Sequence, residues 1–370
     1  MLFYFLCLLT ACKEEPIEPA GEQVGIEDPQ DSTDDDTISI GKLDYYPPAS
    51  DSTWESVTIQ SLGWNADSLN QLLEFVEKKN TYGFIILYKG RIAVERYWNN
   101  WNKDTKSPIA SAGKSITAFL TGIAQEEGLI DINKKTSEYL GEGWTSAPLE
   151  KENIITLKHQ LSMTAGLDEA GDQCITPECL KYKADAGTRW AYHNGSYNLL
   201  NRVIEKTSGV TIDEYTKTRL ADKIGMQYWG WASNNIIALS TRDMARFGLL
   251  ILNKGKWNGS PLLSDSTYFN SMLNTSNEFN QSYGYLWWLN GKATYIVPEN
   301  GEVIVNGPLT PTAPNDMVAA MGKGDKKIYV IPSLHMVVVR HGDDTGESTF
   351  GPSSFDADLW QRLEGVIKHH

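Results

Sequence analysis

The stretch Ser107-Pro108-Ile109-Ala110-Ser111-Ala112-Gly113-Lys114-Ser115-Ile116-Thr117-Ala118-Phe119-Leu120-Thr121-Gly122-Ile123 decides how this chain is read. Ser107 followed by Pro108 offers an N-cap with proline at the first helical position, and Ile116, Phe119, Leu120 and Ile123 recur at helical spacing up to Gly128. The pattern predicts a buried helix of roughly twenty residues that starts just before Ser111. Ser111 and Lys114 form an SxxK tetrad at its start. Residues three apart share a helix face, so the lysine amine can reach the serine hydroxyl. That hydroxyl is a poor nucleophile until a base takes its proton, and a lysine whose pKa is lowered by burial can do so. The positive end of the helix dipole favours charge growing on an attacked carbonyl. SxxK also describes an idle serine and lysine on a solvated turn, but the apolar run behind this one is a poor place for an idle lysine.

On either side of this segment the hydrophobic pattern outlines an α+β fold. Residues 81 to 98 alternate about a Lys89-Gly90 turn, with Phe84, Ile85, Ile86 and Leu87 in one arm and Ile92, Val94 and Tyr97 in the other, as a β-hairpin requires. A region from about 136 to 275 is mostly helical in period, with Leu199, Leu200, Val203 and Ile204 in one segment and Met244, Phe247, Leu250 and Leu252 in another. Short β-type runs follow at Tyr285 to Leu289, Lys327 to Ile331 and Met336 to Arg340, before a closing helix from about Ser354 to Ile367. Strands at both ends with helices between imply one antiparallel sheet built from both termini, flanked by helices and carrying a helix-rich insertion.

A second chemical signal is Tyr192-His193-Asn194, a YxN triplet in Tyr192-His193-Asn194-Gly195-Ser196-Tyr197-Asn198-Leu199-Leu200. A phenol near a lysine can shuttle a proton between nucleophile and leaving group, and an asparagine amide can bind both the lysine and a substrate carbonyl. The order SxxK, Leu161-Ser162-Met163-Thr164-Ala165-Gly166-Leu167, then YxN resembles the class C β-lactamase, D-alanyl-D-alanine carboxypeptidase and related esterase superfamily. Thr241-Arg242-Asp243-Met244-Ala245-Arg246-Phe247-Gly248-Leu249-Leu250 and Gly255-Lys256-Trp257-Asn258-Gly259 are similar to its 6-aminohexanoate-dimer hydrolase branch. The resemblance spans about residues 55 to 368. It implies a β-lactamase/transpeptidase-like fold with Ser111, Lys114 and Tyr192 as catalytic residues and Asn194 as a substrate-binding residue. The family's third motif, KTG, is missing after YxN. The best match is Met321-Gly322-Lys323-Gly324-Asp325-Lys326-Lys327, where the resemblance implies that the Lys323 backbone N–H, beside Gly322, joins that of Ser111 in an oxyanion hole. The same residues also suit a plain basic hairpin. Loss of KTG weakens the case for a substrate carboxylate.

At the N-terminus, Leu2 to Leu9 is an apolar run too short to span a bilayer, ending in Leu9-Thr10-Ala11-Cys12. Residues 1–12 resemble a bacterial lipoprotein signal with Cys12 as the lipidated residue, although no Lys or Arg precedes the run; Lys13-Glu14-Glu15 resembles the surface-export tag of Bacteroidetes lipoproteins. The implied location is the cell envelope of a Gram-negative bacterium, with membrane contact through a lipid anchor only. Ten Asp or Glu against one Lys between residues 13 and 37 account for -9 of the formal net charge of -14. Residues 13–54 therefore read as a solvated acidic tether, and the body from 55 to 368 as a single catalytic domain. An acidic chain of this kind argues against nucleic acid as a partner. With Cys7 and Cys12 in the signal, Cys174 and Cys179 remain, and export suggests that they form one disulfide, a local staple on an excursion that rims the site.

These observations point to a serine hydrolase that cleaves an amide or ester of a small molecule through an acyl-enzyme, with no metal or organic cofactor required. The alternatives are a penicillin-binding D-Ala-D-Ala carboxypeptidase or β-lactamase and, from another class, an idle ligand-binding surface lipoprotein. Neither a GxSxG elbow nor an HExxH motif is present to support other hydrolase chemistries. His159 and His341 read as structural, and Tyr285, Trp287 and Trp288 as core or sheet packing with a possible place beside an acyl pocket. Oligomeric state is not set by the sequence.

Overall fold

Asn65 opens the first helix of the computed structural model, which describes residues 45–50, 53–171, 173–232, 235–298, 303–346 and 351–368. Its side chain accepts from Ser68 N at 2.9 Å and caps α1 (Ala66–Lys78), which buries Leu69, Leu72 and Val76. The hairpin follows as β1 (Thr81–Tyr88) and β2 (Arg91–Tyr97), with Phe84 to Leu87 fully buried because both faces of β1 are covered. Next come β3 (Lys106–Pro108), a 3-10 turn at Ala110–Gly113 and α2 (Lys114–Glu126).

The middle of the chain holds α3 (Thr136–Leu140), α4 (Leu149–Glu152), α5 (Leu157–Leu161), α6 (Asn194–Ser208), α7 (Ile212–Thr216) and α8 (Asp222–Ile224). Then come β4 (Trp229–Trp231), β5 (Ile237–Ser240), α9 (Thr241–Leu252), β6 (Lys256–Trp257), β7 (Ser260–Pro261) and α10 (Ser266–Met272). The last part contains β8 (Trp288–Leu289), β9 (Thr294–Ile296), β10 (Ile304–Asn306), β11 (Val318–Gly322), β12 (Lys326–Ile331), β13 (Met336–Gly342) and α11 (Ser354–Ile367).

The main sheet has the order β2-β1-β13-β12-β11-β8, antiparallel at every pairing, so both ends of the body build one sheet. Helices α1 and α11 pack together on one face, while α9 lies across β1, β12 and β13 on the other. The central strands, buried along both faces, meet the apolar stripes of these helices, and one continuous core results. The described residues fall within one compact unit, Leu43–His370. None of their helices is long and apolar enough to cross a membrane. The proposed signal, Cys12 and nearly all of the acidic tract lie outside the described residues.

Two local expectations need correction. Pro108 does not start a helix: Ser107 and Pro108 lie in β3, paired with Leu239 and Ala238 of β5, and the α-helix begins at Lys114 after the 3-10 turn. A proline is tolerated there because β3 is an edge strand. The run from Tyr285 to Leu289 is strand only at Trp288–Leu289, because Leu286 adopts φ 58°, which breaks the extended backbone.

Candidate active site

The Ser111 turn is placed by two close backbone events. Ala110, at φ 50°, bends the chain out of β3, and the 3-10 turn then stacks Ser111 and Lys114 one above the other at the spacing of three that this helix favours. Lys114 Nζ lies 3.0 Å from Ser111 Oγ. The lysine is 2 % exposed, whereas Ser111 is half-buried and reachable. Apolar Ile116, Phe119, Leu120 and Ile123 seat α2 in the core and carry the lysine into a largely buried position.

On the other side, α6 brings the YxN residues in. His193 is its N-cap: Nδ1 accepts from Ser196 N at 3.1 Å, and burial pushes the ring's pKa down, keeping it neutral. Asn194, the first helical residue, accepts from Lys114 Nζ through Oδ1 at 2.7 Å. Lys114 Nζ also sits 4.7 Å from the Tyr192 ring centroid and 4.1 Å from that of Tyr197. Ser111, Lys114, Tyr192 and Asn194, chosen from sequence, therefore converge on one point. Tyr197 joins them although sequence reading gave it no role; its signal was its spacing of three from Asn194 on the same helix.

The Leu161-to-Leu167 segment supports this arrangement from below. Leu161 O accepts from Leu286 N at 3.0 Å and Met163 O from Ala191 N at 2.9 Å, tying the chains that carry Trp288 and Tyr192 to one turn. Met163 adopts φ 58° to present these groups. Around Tyr192 stands an aromatic wall: Trp288 is stacked on it at 6.4 Å and 19°, while Tyr283 meets the edge of Trp288 at 4.9 Å and Trp190 lies against Tyr283 at 5.4 Å. Tyr285, Trp287 and Trp288 are buried in the core, as their pattern predicted.

The third element is the end of β11. A Cβ added to Gly322 would lie 2.3 Å from Ile109 O, 3.0 Å from Ala112 N and 3.2 Å from Ser111 N, so the strand and the Ser111 turn touch through backbone alone. Lys323 is the next residue, with its side chain exposed. The strand reaching Ser111 reads Val318-Ala319-Ala320-Met321-Gly322 and carries no cation.

Behind that hairpin, facing α11, Lys327 Nζ lies 3.2 Å from Asp325 and 3.1 Å from Asp356, all fully buried. Arg340 donates to Gly324 O at 2.9 Å and Asp325 O at 2.8 Å. Sequence reading placed Asp325 and Lys327 only within the Met321-to-Lys327 segment and gave Asp356 no role. His341 and His159 are engaged elsewhere in the fold: burial pushes the His341 pKa down to about 3 against Trp101, and His159 completes a capping box with Thr156 on α5.

Cys174 and Cys179 are joined by a disulfide. Their loop abuts the first turn of α6, where Cys174 O lies 2.1 Å from the position a Gly195 Cβ would take. The base of the excursion is tied by Glu169, which accepts from Arg189 at 2.8 and 2.9 Å and from Lys183 at 2.9 Å. Arg189 first, with Lys183, outweighs burial and lowers the Glu169 pKa to about 2. A depressed carboxylate stabilises above its unfolded pKa and loses that contribution as pH falls through the folded value. Pepsin cleavage of the excursion is therefore expected to rise between about pH 4.5 and 2 before the body unfolds, and Glu169→Gln is expected to remove that dependence. Cleavage that follows global unfolding in both proteins would refute the tie.

Comparison with known proteins agrees with this architecture. The chain is 23% identical over 298 residues to the 6-aminohexanoate-dimer hydrolase of Paenarthrobacter ureafaciens, covering 69% of this chain and 74% of that protein. The penicillin binding protein of Bacillus halodurans superposes with a TM-score of 0.56 at 17% identity, covering 80% of this chain and 98% of the other. A family VIII carboxylesterase gives 0.59 at 15% identity, covering 81% and 96%. The Beta-lactamase family model matches residues 74–339, most of the described body, and the chain belongs to that family.

Proposed function

We propose that the protein is a serine hydrolase that cleaves an amide or ester through an acyl-enzyme on Ser111. The observation that carries this reading is the buried Lys114 amine, 3.0 Å from Ser111 Oγ and 2.7 Å from Asn194 Oδ1. Ser111 Oγ attacks the carbonyl while its proton passes to the Lys114–Tyr192 pair. The carbonyl oxygen takes the negative charge in a hole formed by the Ser111 and Lys323 backbone N–H groups. Tyr192 then delivers the proton to the leaving amine or alcohol as its bond to carbon breaks. Water attacks the acyl group by the same relay, releasing the acid and restoring Ser111. Asn194 orients Lys114 and the substrate.

The absence of a cation on β11 favours simple amides and esters over carboxylate-bearing β-lactams and peptides. In this reading the protein works in the cell envelope, anchored through a lipid on Cys12.

Intact mass of the purified protein tests the proposal. Exposure to a fluorophosphonate is expected to give a single adduct, and a p-nitrophenyl ester is expected to turn over; both disappear in Ser111→Ala. A folded wild type as inert as the mutant would sink the hydrolase and favour a binding protein. Rapid acylation by a penicillin, with esters untouched, would favour the penicillin-binding alternative. The untreated mass of detergent-extracted protein reads the anchor: an unmodified Cys12 or an intact signal would refute it.

A further inference from the structure

We infer that Tyr197 is a positioning residue for the proton relay, its ring face holding the Lys114 ammonium that forms when Ser111 gives up its proton. The inference rests on the acyl-enzyme reading above and adds a residue to it. Its basis is geometry: the Lys114 nitrogen lies 4.1 Å from the Tyr197 ring centroid, closer than to Tyr192. A cation over a ring face is attracted by the ring quadrupole, more strongly where water is excluded. Here both partners are buried, Lys114 at 2 % and Tyr197 at 5 % exposure.

The helix makes the contact obligatory. Asn194 and Tyr197 lie three apart at the start of α6, and both face α2, so one helix supplies the acceptor at 2.7 Å and the π surface. The phenol itself is not a proton carrier, since burial alone raises its pKa and keeps it neutral. The two tyrosines thus divide the work: half-buried Tyr192 moves the proton and Tyr197 holds the lysine.

Other groups around Lys114 are Ser111 from the 3-10 turn and Tyr192 ahead of α6, while Tyr283, in the loop before β8, interacts with both tyrosines. His193 faces Asp168 and Glu169. Burial raises the Tyr283 pKa and lowers that of His193, so both stay neutral in the working range.

A ring that favours the ammonium raises the basicity of Lys114; its removal weakens the base. Tyr197→Leu is expected to move the Lys114 limb of the pH–rate profile for p-nitrophenyl ester hydrolysis down by about 0.4 to 1.5 pH units, with the plateau kcat falling about two- to thirty-fold. Tyr197→Phe keeps the ring face and is expected to retain the wild-type profile. Replacement of the ring by pentafluorophenylalanine, similar in shape with a reversed quadrupole, should move the limb at least as far as leucine does. This third variant keeps the test open if the leucine protein folds poorly.

A direct readout separates this inference from the reading it rests on. The Lys114 Nζ resonance of 15N-lysine protein, assigned by its loss in Lys114→Arg, can be titrated without any turnover. A shifted titration in the fluorinated protein, with no ester hydrolysis in wild type, would uphold the Tyr197 contact and discard the hydrolase. Equal titrations and equal profiles in all variants would discard the role of Tyr197 while leaving Ser111 in place. A Tyr197→Phe loss as large as that of leucine would assign the effect to the hydroxyl and overturn the inference.

Discussion

Gly322→Val is expected to lower the acylation rate of Ser111 by about 10²–10³-fold, the cost of losing one oxyanion donor, while the protein stays folded. The new Cβ would have to sit 2.3 Å from Ile109 O and 3.2 Å from Ser111 N. Those are backbone atoms of the Ser111 turn, so the conflict cannot be relieved by swinging a side chain away. Either the 3-10 turn or the end of β11 must retreat. The turn is fixed by Ala112 N to Ile109 O at 3.2 Å and by Ile109 N to Ile237 O at 3.0 Å, while β11 has β12 on one edge and β8 on the other. Its last residue is the freer of the two. As Gly322 moves, Lys323 moves with it, and its N–H leaves its place in the proposed oxyanion hole. Gly322→Ala should show a smaller loss in the same direction. The measurement is the rate of fluorophosphonate labelling beside far-ultraviolet circular dichroism. Labelling at the wild-type rate in a folded Gly322→Val protein would remove the Lys323 N–H from the site.

How much of this was legible before the structure depends on the range of each interaction. SxxK and YxN are local spacings, and local geometry turns them into neighbours: a 3-10 turn for Ser111 and Lys114, one helix start for Asn194. The 81–98 hairpin and the closing helix at Ser354–Ile367 follow from period alone. Pro108 was misread because its partner, Ala238, lies far along the chain, and nothing near Ser107-Pro108 announces β5. Tyr197 could have been found from the helix period, but its value comes from Lys114 lying over it. The Met321-to-Lys327 match became concrete only through the contact of Gly322 with the turn, since many hairpins share its composition.

Asp356→Ala is expected to destabilise the protein by about 3–5 kcal/mol, the usual cost of breaking a buried ion pair from one side. Lys327, Asp325, Asp356 and Arg340 are all buried, two cations against two anions, so the cluster is neutral as it stands. Asp356 accepts from Lys327 Nζ at 3.1 Å, from Ser353 N at 2.7 Å and from the Tyr329 hydroxyl. Burial works against ionisation of Asp325, yet Lys327 and the hydroxyls of Thr345 and Ser353 hold its pKa below the ordinary carboxylate range. Alanine at 356 leaves an uncompensated positive charge with no water to receive it. The double variant Lys327→Met/Asp356→Leu removes charge of both signs and fills the volume, so it is expected to recover much of the loss. Urea unfolding midpoints of the three proteins measure this, and a single-variant loss below about 1 kcal/mol would show that the cluster carries little weight. The same comparison bears on the proposed catalysis, because strand neighbours point to opposite faces: Lys327 fastens the hairpin to α11 from behind while Gly322 meets the Ser111 turn from the front. Ester hydrolysis should therefore fall with stability in Asp356→Ala and return with it in the double variant. A double variant that regains stability but not rate would mean that the charges position the Lys323 turn beyond holding it folded.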